Sequence, residues 1–166
     1  MQVFYFDNEM CKLEKQGDFR QLIKHLEGQA VFSEENFSTQ IAYSWYLYSE
    51  GDFVSPQVSK DWEFYKKKWE EKLKFAIENY QEFPKICFIV AYSLEINGMD
   101  ISDSLDYEGL VEKFFKLSKN KAVDNDIVKL LEYITSRRIV KMEDIILERL
   151  FPNNTLIDKY FLEVLS

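Results

Sequence analysis

A chain of 166 residues with 46% hydrophobic and 16% aromatic residues can bury a sizeable core, which excludes a disordered chain. It contains five glycines and three prolines, too few for the many tight turns of an all-β protein, so long helices are favoured. The net charge of −8 disfavours nucleic acid and anionic membranes as partners, and it fits either simple solubility or attraction to a basic protein.

The sequence predicts an all-α protein, with nine helices joined by short turns in one domain over residues 1–166. The predicted spans are residues 8–16, 18–28, 33–50, 60–81, 84–97, 106–120, 127–138, 141–151 and 155–165. Asp7 or Asn8 is predicted to cap the first helix, and Ser33 to open the third. The segment Val54–Ser59, which contains Pro56, is predicted as a linker, and Ser59 as the N-cap of the long fourth helix.

Two of these helices are apolar on more than one face, which is typical of helices at the centre of a domain. They are the third and the fifth predicted helices, and we expect both to be buried. The apolar side chains of the third are Phe37, Ile41, Tyr43, Trp45, Tyr46, Leu47 and Tyr48. The fourth helix instead has a single core stripe, formed by Trp62, Tyr65, Trp69, Leu73, Ala76, Ile77 and Tyr80.

Residues that commonly carry catalysis or bind metals are few in this chain. His25 is the single histidine, and it is predicted to be a structural or surface residue. Cys11 and Cys87 match no zinc or redox spacing and are expected to be buried free thiols of a cytoplasmic protein. The segment that starts at Asp100 does not match the twelve-residue calcium-binding loop, because its sixth and twelfth positions are Leu and Val rather than Gly and Glu. We therefore predict a non-enzymatic protein without a cofactor or metal.

A short pattern recurs at the predicted helix ends: Gly17-Asp18-Phe19, Gly51-Asp52-Phe53 and Gly98-Met99-Asp100. The first two glycines are 34 residues apart and the last two are 47 apart. Such recurrence indicates stacked antiparallel helical hairpins. With its Gly-Asp-Phe turns and aromatic first helices, about the first half of the chain resembles tetratricopeptide-repeat and related α-solenoid proteins. The Val54–Ser59 segment departs from that pattern. The resemblance implies a scaffold that binds another protein on a concave or edge surface.

Two segments, residues 29–59 and 86–112, contain acidic residues but no lysine or arginine. In stacked hairpins the turns after corresponding helices line up, so Asp18, Asp52 and Asp100 are expected on one edge. We predict a partner-binding surface there, formed by Tyr46, Tyr48, Glu50, Asp52, Asp100, Asp103, Asp106 and Glu108. The alternative is that these tyrosines belong to the core and the acids are helix caps or solubilising surface residues.

Three functional hypotheses follow from this pattern. The first is a protein-interaction module, in its sharpest form an acidic inhibitor or immunity-type protein that neutralises a basic toxin domain such as a nuclease. The second is a small-ligand-binding protein or enzyme with a pocket between the two aromatic helices. The third is a subunit of a larger helical-repeat assembly. The oligomeric state is left open by the sequence.

Overall fold

The computed structural model describes residues 2–101, 106–136 and 142–166. Within these residues the chain forms eleven α-helices, a 3₁₀ turn and no strand, which confirms the all-α class. The helices are α1 (Asn8–Gln16), α2 (Phe19–Glu27), α3 (Glu34–Ser49), α4 (Gly51–Val54), α5 (Pro56–Lys60), α6 (Trp62–Asn79), α7 (Pro84–Asn97), α8 (Tyr107–Lys121), α9 (Asn125–Thr135), α10 (Asp144–Leu150) and α11 (Leu156–Leu165). The 3₁₀ turn, Gly98–Asp100, follows α7. The nine longer helices correspond to the nine predicted ones.

Polar side chains cap these helices where the sequence predicts it. Asp7 precedes α1 and accepts the N–H of Met10 at 2.7 Å. Ser33 precedes α3 and accepts the N–H of Asn36 at 3.1 Å. Each such bond satisfies one of the backbone donors that the first turn of a helix leaves without an intrahelical partner. Local sequence therefore determines where these two helices begin.

The prediction of a linker at Val54–Ser59 was wrong, because α4 ends at Val54 and α5 begins at Pro56. Ser55 is the N-cap of α5, and its hydroxyl oxygen accepts a backbone N–H of that helix at 3.2 Å. Pro56 is the first residue of α5, a position where the missing N–H of proline costs nothing. Ser59 consequently lies inside α5 and does not cap the long helix α6, as had been predicted.

The centre of the fold is formed by α3 and α7, as predicted. Every side chain from Lys85 to Leu94 is buried. The two buried indoles make hydrogen bonds with polar residues of α7: Trp45 Nε1 donates to Asn97 Oδ1 at 2.8 Å, and Trp69 Nε1 donates to Ser93 Oγ at 3.1 Å. Such bonds let large aromatic residues be buried without leaving their N–H groups unsatisfied.

The first and last described segments of the chain pack against each other. The N–H of Val3 donates to the carbonyl of Leu150 at 2.9 Å. The ring of Phe4 lies 5.9 Å from that of Phe151 and 5.4 Å from that of Phe161. In an open solenoid each repeat contacts only its neighbours, so this contact gives the helical packing a compact form. Among the described helices, none combines the length and hydropathy needed to cross a bilayer.

Candidate functional site

The Gly51-Asp52 turn lines a surface pocket of about 220 Å³, which we call the first pocket. Its lining residues are Tyr48, Ser49, Gly51, Asp52, Ser59 and Trp62, and none of these is basic. The wall depends on a close approach of α4 to α5. A Cβ atom at Gly51 would lie 3.1 Å from Val58 Cγ1, closer than ordinary van der Waals contact, so a glycine is favoured there.

Aromatic rings form one side of the first pocket. The ring of Tyr48 stacks on Trp69 at 5.7 Å and lies 6.4 Å from the ring of Trp62. Trp62 is 46% exposed, although it was predicted as a core residue. The Tyr48 hydroxyl lies beside the carboxylate of Asp100. Burial raises the pKa of Tyr48 well above its usual range, and the nearby carboxylates of Asp100 and Glu70 add to the effect, so Tyr48 remains a neutral phenol.

Carboxylates lie beside these rings. Asp52 is exposed, and its Oδ1 accepts a hydrogen bond from the hydroxyl of Ser59. Asp100 is also exposed, and its Oδ2 accepts the Nδ2 group of Asn97 at 2.9 Å. Because Asn97 accepts the indole N–H of the buried Trp45, Asp100 is connected to the core by two successive hydrogen bonds. The position of this carboxylate therefore depends on the packing of α3 against α7.

The Gly17-Asp18 turn lines a second pocket, of about 270 Å³. Its lining residues are Gly17, Asp18, Phe19, Arg20, Gln57, Val58, Asp61 and Tyr65. Gln57 lines the second pocket and Ser59 lines the first. Side chains two positions apart in a helix point about 200° away from each other, so the two pockets lie on opposite sides of α5. Both Gly-Asp-Phe turns of the sequence thus contribute an aspartate to a pocket beside the same short helix.

One of the residues that line the second pocket is a basic residue, Arg20. Arg20 Nε donates to Asp61 Oδ2 at 3.0 Å, and the guanidinium carbon lies 4.2 Å from the centre of the Phe64 ring. The hydrogen bond from Arg20 lowers the pKa of Asp61. This is a guanidinium held between a carboxylate and an aromatic face, an arrangement in which both contacts are attractive.

Two residues of the predicted surface, Tyr46 and Glu50, do not line the first pocket. Tyr46 is two positions from Tyr48 and points to another side of α3, where its ring lies 5.2 Å from that of Tyr160 in α11. Burial is the main cause that raises the pKa of Tyr46. Glu50 joins α3 to α4 and is half-buried, and burial raises its pKa as well.

Two further predicted acids, Asp106 and Glu108, lie at the start of α8. Asp106 is its N-cap and accepts a backbone N–H at 3.2 Å, and Glu108 is exposed in the first turn. The first residue of α8, Tyr107, packs closely against Gly98 of the 3₁₀ turn. A Cβ atom at Gly98 would lie only 2.6 Å from Tyr107 Cδ2. Asp103 is outside the described residues. The structure therefore brings Tyr48, Asp52 and Asp100 together, with the acids of α8 beside the same turn.

Ser59, Asp61 and Trp62 belong to the two pockets but were not predicted as site residues. Ser59 and Trp62 had been given structural roles, as a helix cap and a core residue. A signal for α5 was present in the sequence, because Ser55-Pro56 is a preferred N-cap and first-turn pair. Had α5 been recognised, the predicted start of α6 would have been at about Trp62, and this residue would have been predicted at the end of a helix rather than in the core.

The single histidine has a structural role. His25 Nε2 lies 2.8 Å from Asp7 Oδ2, which also accepts the hydroxyl of Tyr5 at 2.8 Å. This cluster joins α2 to the N-cap of α1. The thiol of Cys87 is buried, and burial raises its pKa to about 12, so it remains protonated at neutral pH.

No protein-family model matches the chain, and comparisons with curated proteins and with solved structures gave no significant match. The structure confirms the all-α class, and the resemblance to tetratricopeptide-repeat proteins stays a prediction.

Proposed function

We propose that this protein is a non-enzymatic protein-interaction module that binds a basic partner through the first pocket. The observation that carries this proposal is a pocket that combines Trp62, Tyr48 and Asp52 without a basic lining residue, with Asp100 next to Tyr48. Tyrosine and tryptophan are enriched among residues that dominate binding energy. Clustered carboxylates, together with the net charge of −8, accelerate association with a positively charged protein.

In its sharpest form the proposal is an acidic inhibitor that covers the active site of a basic toxin domain, such as a nuclease. Two exposed apolar side chains support a protein partner rather than a small ion. Phe53, next to Asp52, is 86% exposed, and Met99, next to Asp100, is 83% exposed. Protein interfaces commonly combine an apolar centre with a charged rim. A cytoplasmic location, as expected from the sequence, remains part of this proposal.

A pull-down from native cell extract tests the proposal with Asp52→Asn and a matched control, Asp144→Asn. Both substitutions remove one negative charge from an exposed residue, but Asp144 lies in the first turn of α10 and lines neither pocket. We expect the wild type to retain a basic protein at low salt and to release it at high salt, because salt screens attraction between exposed charges. The pocket variant should retain several-fold less, and the control should match the wild type.

Equal retention by both variants would contradict a role for the first pocket. The absence of any salt-sensitive partner would contradict the interaction module itself. That second result would favour the ligand-binding or enzymatic alternative, with a site between α3 and α7. A small-molecule screen by thermal shift would then be the appropriate experiment, because a ligand that binds only the folded state raises its unfolding temperature.

A further inference from the structure

The wall of the second pocket includes a guanidinium group, Arg20, that the protein itself holds. Three contacts define the arrangement: Arg20 donates to Asp61, Arg20 lies over the ring of Phe64, and Gln57 Nε2 of α5 donates to Asp61 Oδ2 at 3.3 Å. The carboxylate is thus fixed by a polar side chain of α5 while it pairs with the arginine. The aromatic ring covers the face of the guanidinium.

The first pocket repeats these elements on the other side of α5, but its lining includes no basic residue. Ser59 of α5 donates to Asp52 Oδ1, just as Gln57 donates to Asp61. Within the described part of the chain, no hydrogen bond is made to the second oxygen of Asp52. Trp62 provides a partly exposed aromatic face beside it. The carboxylate, the supporting side chain from α5 and the aromatic surface are thus all present at the first pocket.

We propose that the first pocket binds an arginine side chain of the partner protein, through the kinds of contact that Asp61 and Phe64 make with Arg20. This inference rests on the proposed function and specifies the chemical group that the partner presents. A guanidinium is planar, so it stacks on an aromatic face while its N–H groups donate to a carboxylate. A lysine ammonium is a compact, strongly hydrated charge that cannot make both planar contacts at once. The first pocket should therefore prefer arginine to lysine.

Titration of the ¹⁵N-labelled full chain with short blocked peptides tests this preference by NMR. The peptides are glycine sequences with a single central arginine, lysine or citrulline; citrulline has nearly the shape of arginine but no charge. We expect the arginine peptide to shift the indole signal of Trp62 and the amide signal of Gly51. The lysine peptide should bind more weakly, and the citrulline peptide should cause no comparable shift.

Two variants identify the contacts. Asp52→Asn should weaken binding of the arginine peptide about fivefold, as for the loss of one exposed charged contact, and Asp144→Asn should leave it unchanged. Trp62→Leu should also weaken binding, with the amide of Gly51 as the reporter. The inference is overturned if citrulline shifts the pocket signals as arginine does, if the arginine peptide shifts none of them, or if Asp52→Asn binds as tightly as the wild type.

Failure of this inference can be distinguished from failure of the proposed function. A salt-sensitive basic partner in the pull-down, together with no response of the pocket to the arginine peptide, would preserve the interaction module and overturn the arginine chemistry. Failure of both experiments would overturn both. A partner whose binding is weakened by Asp52→Asn, and whose interface arginines are required, would support both.

Discussion

Replacing Trp45 by alanine is expected to lower the free energy of unfolding by about 3–5 kcal/mol, the range seen for large aromatic side chains in cores. The indole is fully buried in α3 and meets the rings of Tyr92 and Tyr160 edge-on at 5.6 and 5.5 Å. Its N–H donates to Asn97 Oδ1 at 2.8 Å. The substitution leaves a cavity and removes this hydrogen bond. Urea unfolding followed by circular dichroism measures the loss.

Trp62→Ala is the matched control, because it makes the same change at a side chain that is 46% exposed. We expect it to cost about 1 kcal/mol or less, since partly exposed residues lose little buried surface. Similar losses at both positions would contradict a central location of α3. Trp45→Ala should also weaken binding of a basic partner, because the chain of hydrogen bonds that positions Asp100 begins at this indole.

Replacing Asp158 by asparagine is expected to stabilise the protein at pH 8 and to change its stability little at pH 4. The side chain of Asp158 is 1% exposed in the first turn of α11. Its Oδ2 accepts the N–H of Asn153 at 2.8 Å, and its Oδ1 has no hydrogen-bond partner in the described residues. Burial is the main cause that raises the pKa of Asp158 to about 6, and the nearby charge of Glu14 adds to the effect.

The direction of the pH effect follows from these pKa values. Asp158 has a pKa of about 6 in the folded protein and an ordinary value of 3.8, so the folded state binds this proton more tightly than the unfolded state. The free energy of unfolding therefore falls as the pH rises from about 4 to about 6. Above that range the buried carboxylate costs about 3 kcal/mol at most. A neutral asparagine of the same shape avoids the cost.

Asp126→Asn provides a control with the opposite sign. Arg149 donates to both carboxylate oxygens of Asp126, at 2.7 and 2.8 Å, and these bonds lower the pKa of Asp126. Its contribution to stability is present at neutral pH and is lost as the pH falls through the folded pKa. Thermal unfolding of both variants from pH 4 to pH 8 should separate the two cases. If Asp158→Asn instead destabilised the protein at pH 8, the ionised carboxylate of Asp158 would be stabilising the fold, and the prediction would be wrong.

The parts of the fold that depend on local sequence could be predicted. Capping by Asp7 and Ser33 follows from residues within one helical turn, and the apolar faces of α3 and α7 follow from periodicity. The region of α4 and α5 was misread because Pro56 was treated as a helix breaker. In its actual position, directly after the cap Ser55, proline begins a helix.

The candidate site depends on contacts between distant residues, which one sequence does not reveal. Arg20 and Asp61 are 41 positions apart, and their pairing is what distinguishes the second pocket from the first. Asp18 and Asp52 were expected on one edge, but they line pockets on opposite sides of α5. Asp100 does not line the first pocket, but it lies beside the hydroxyl of Tyr48, which does. Composition indicated the acidic and aromatic character of the site, and tertiary packing determines which residues share it.

The most direct test of the first pocket as a partner-binding site is an NMR titration of the ¹⁵N-labelled protein with the basic partner recovered by the pull-down. We expect the signals of Gly51, Asp52 and the Trp62 indole to shift or broaden at low salt, and these changes to reverse at high salt. Unchanged signals at these three residues, with shifts confined to other surfaces of the bound protein, would contradict the proposed site.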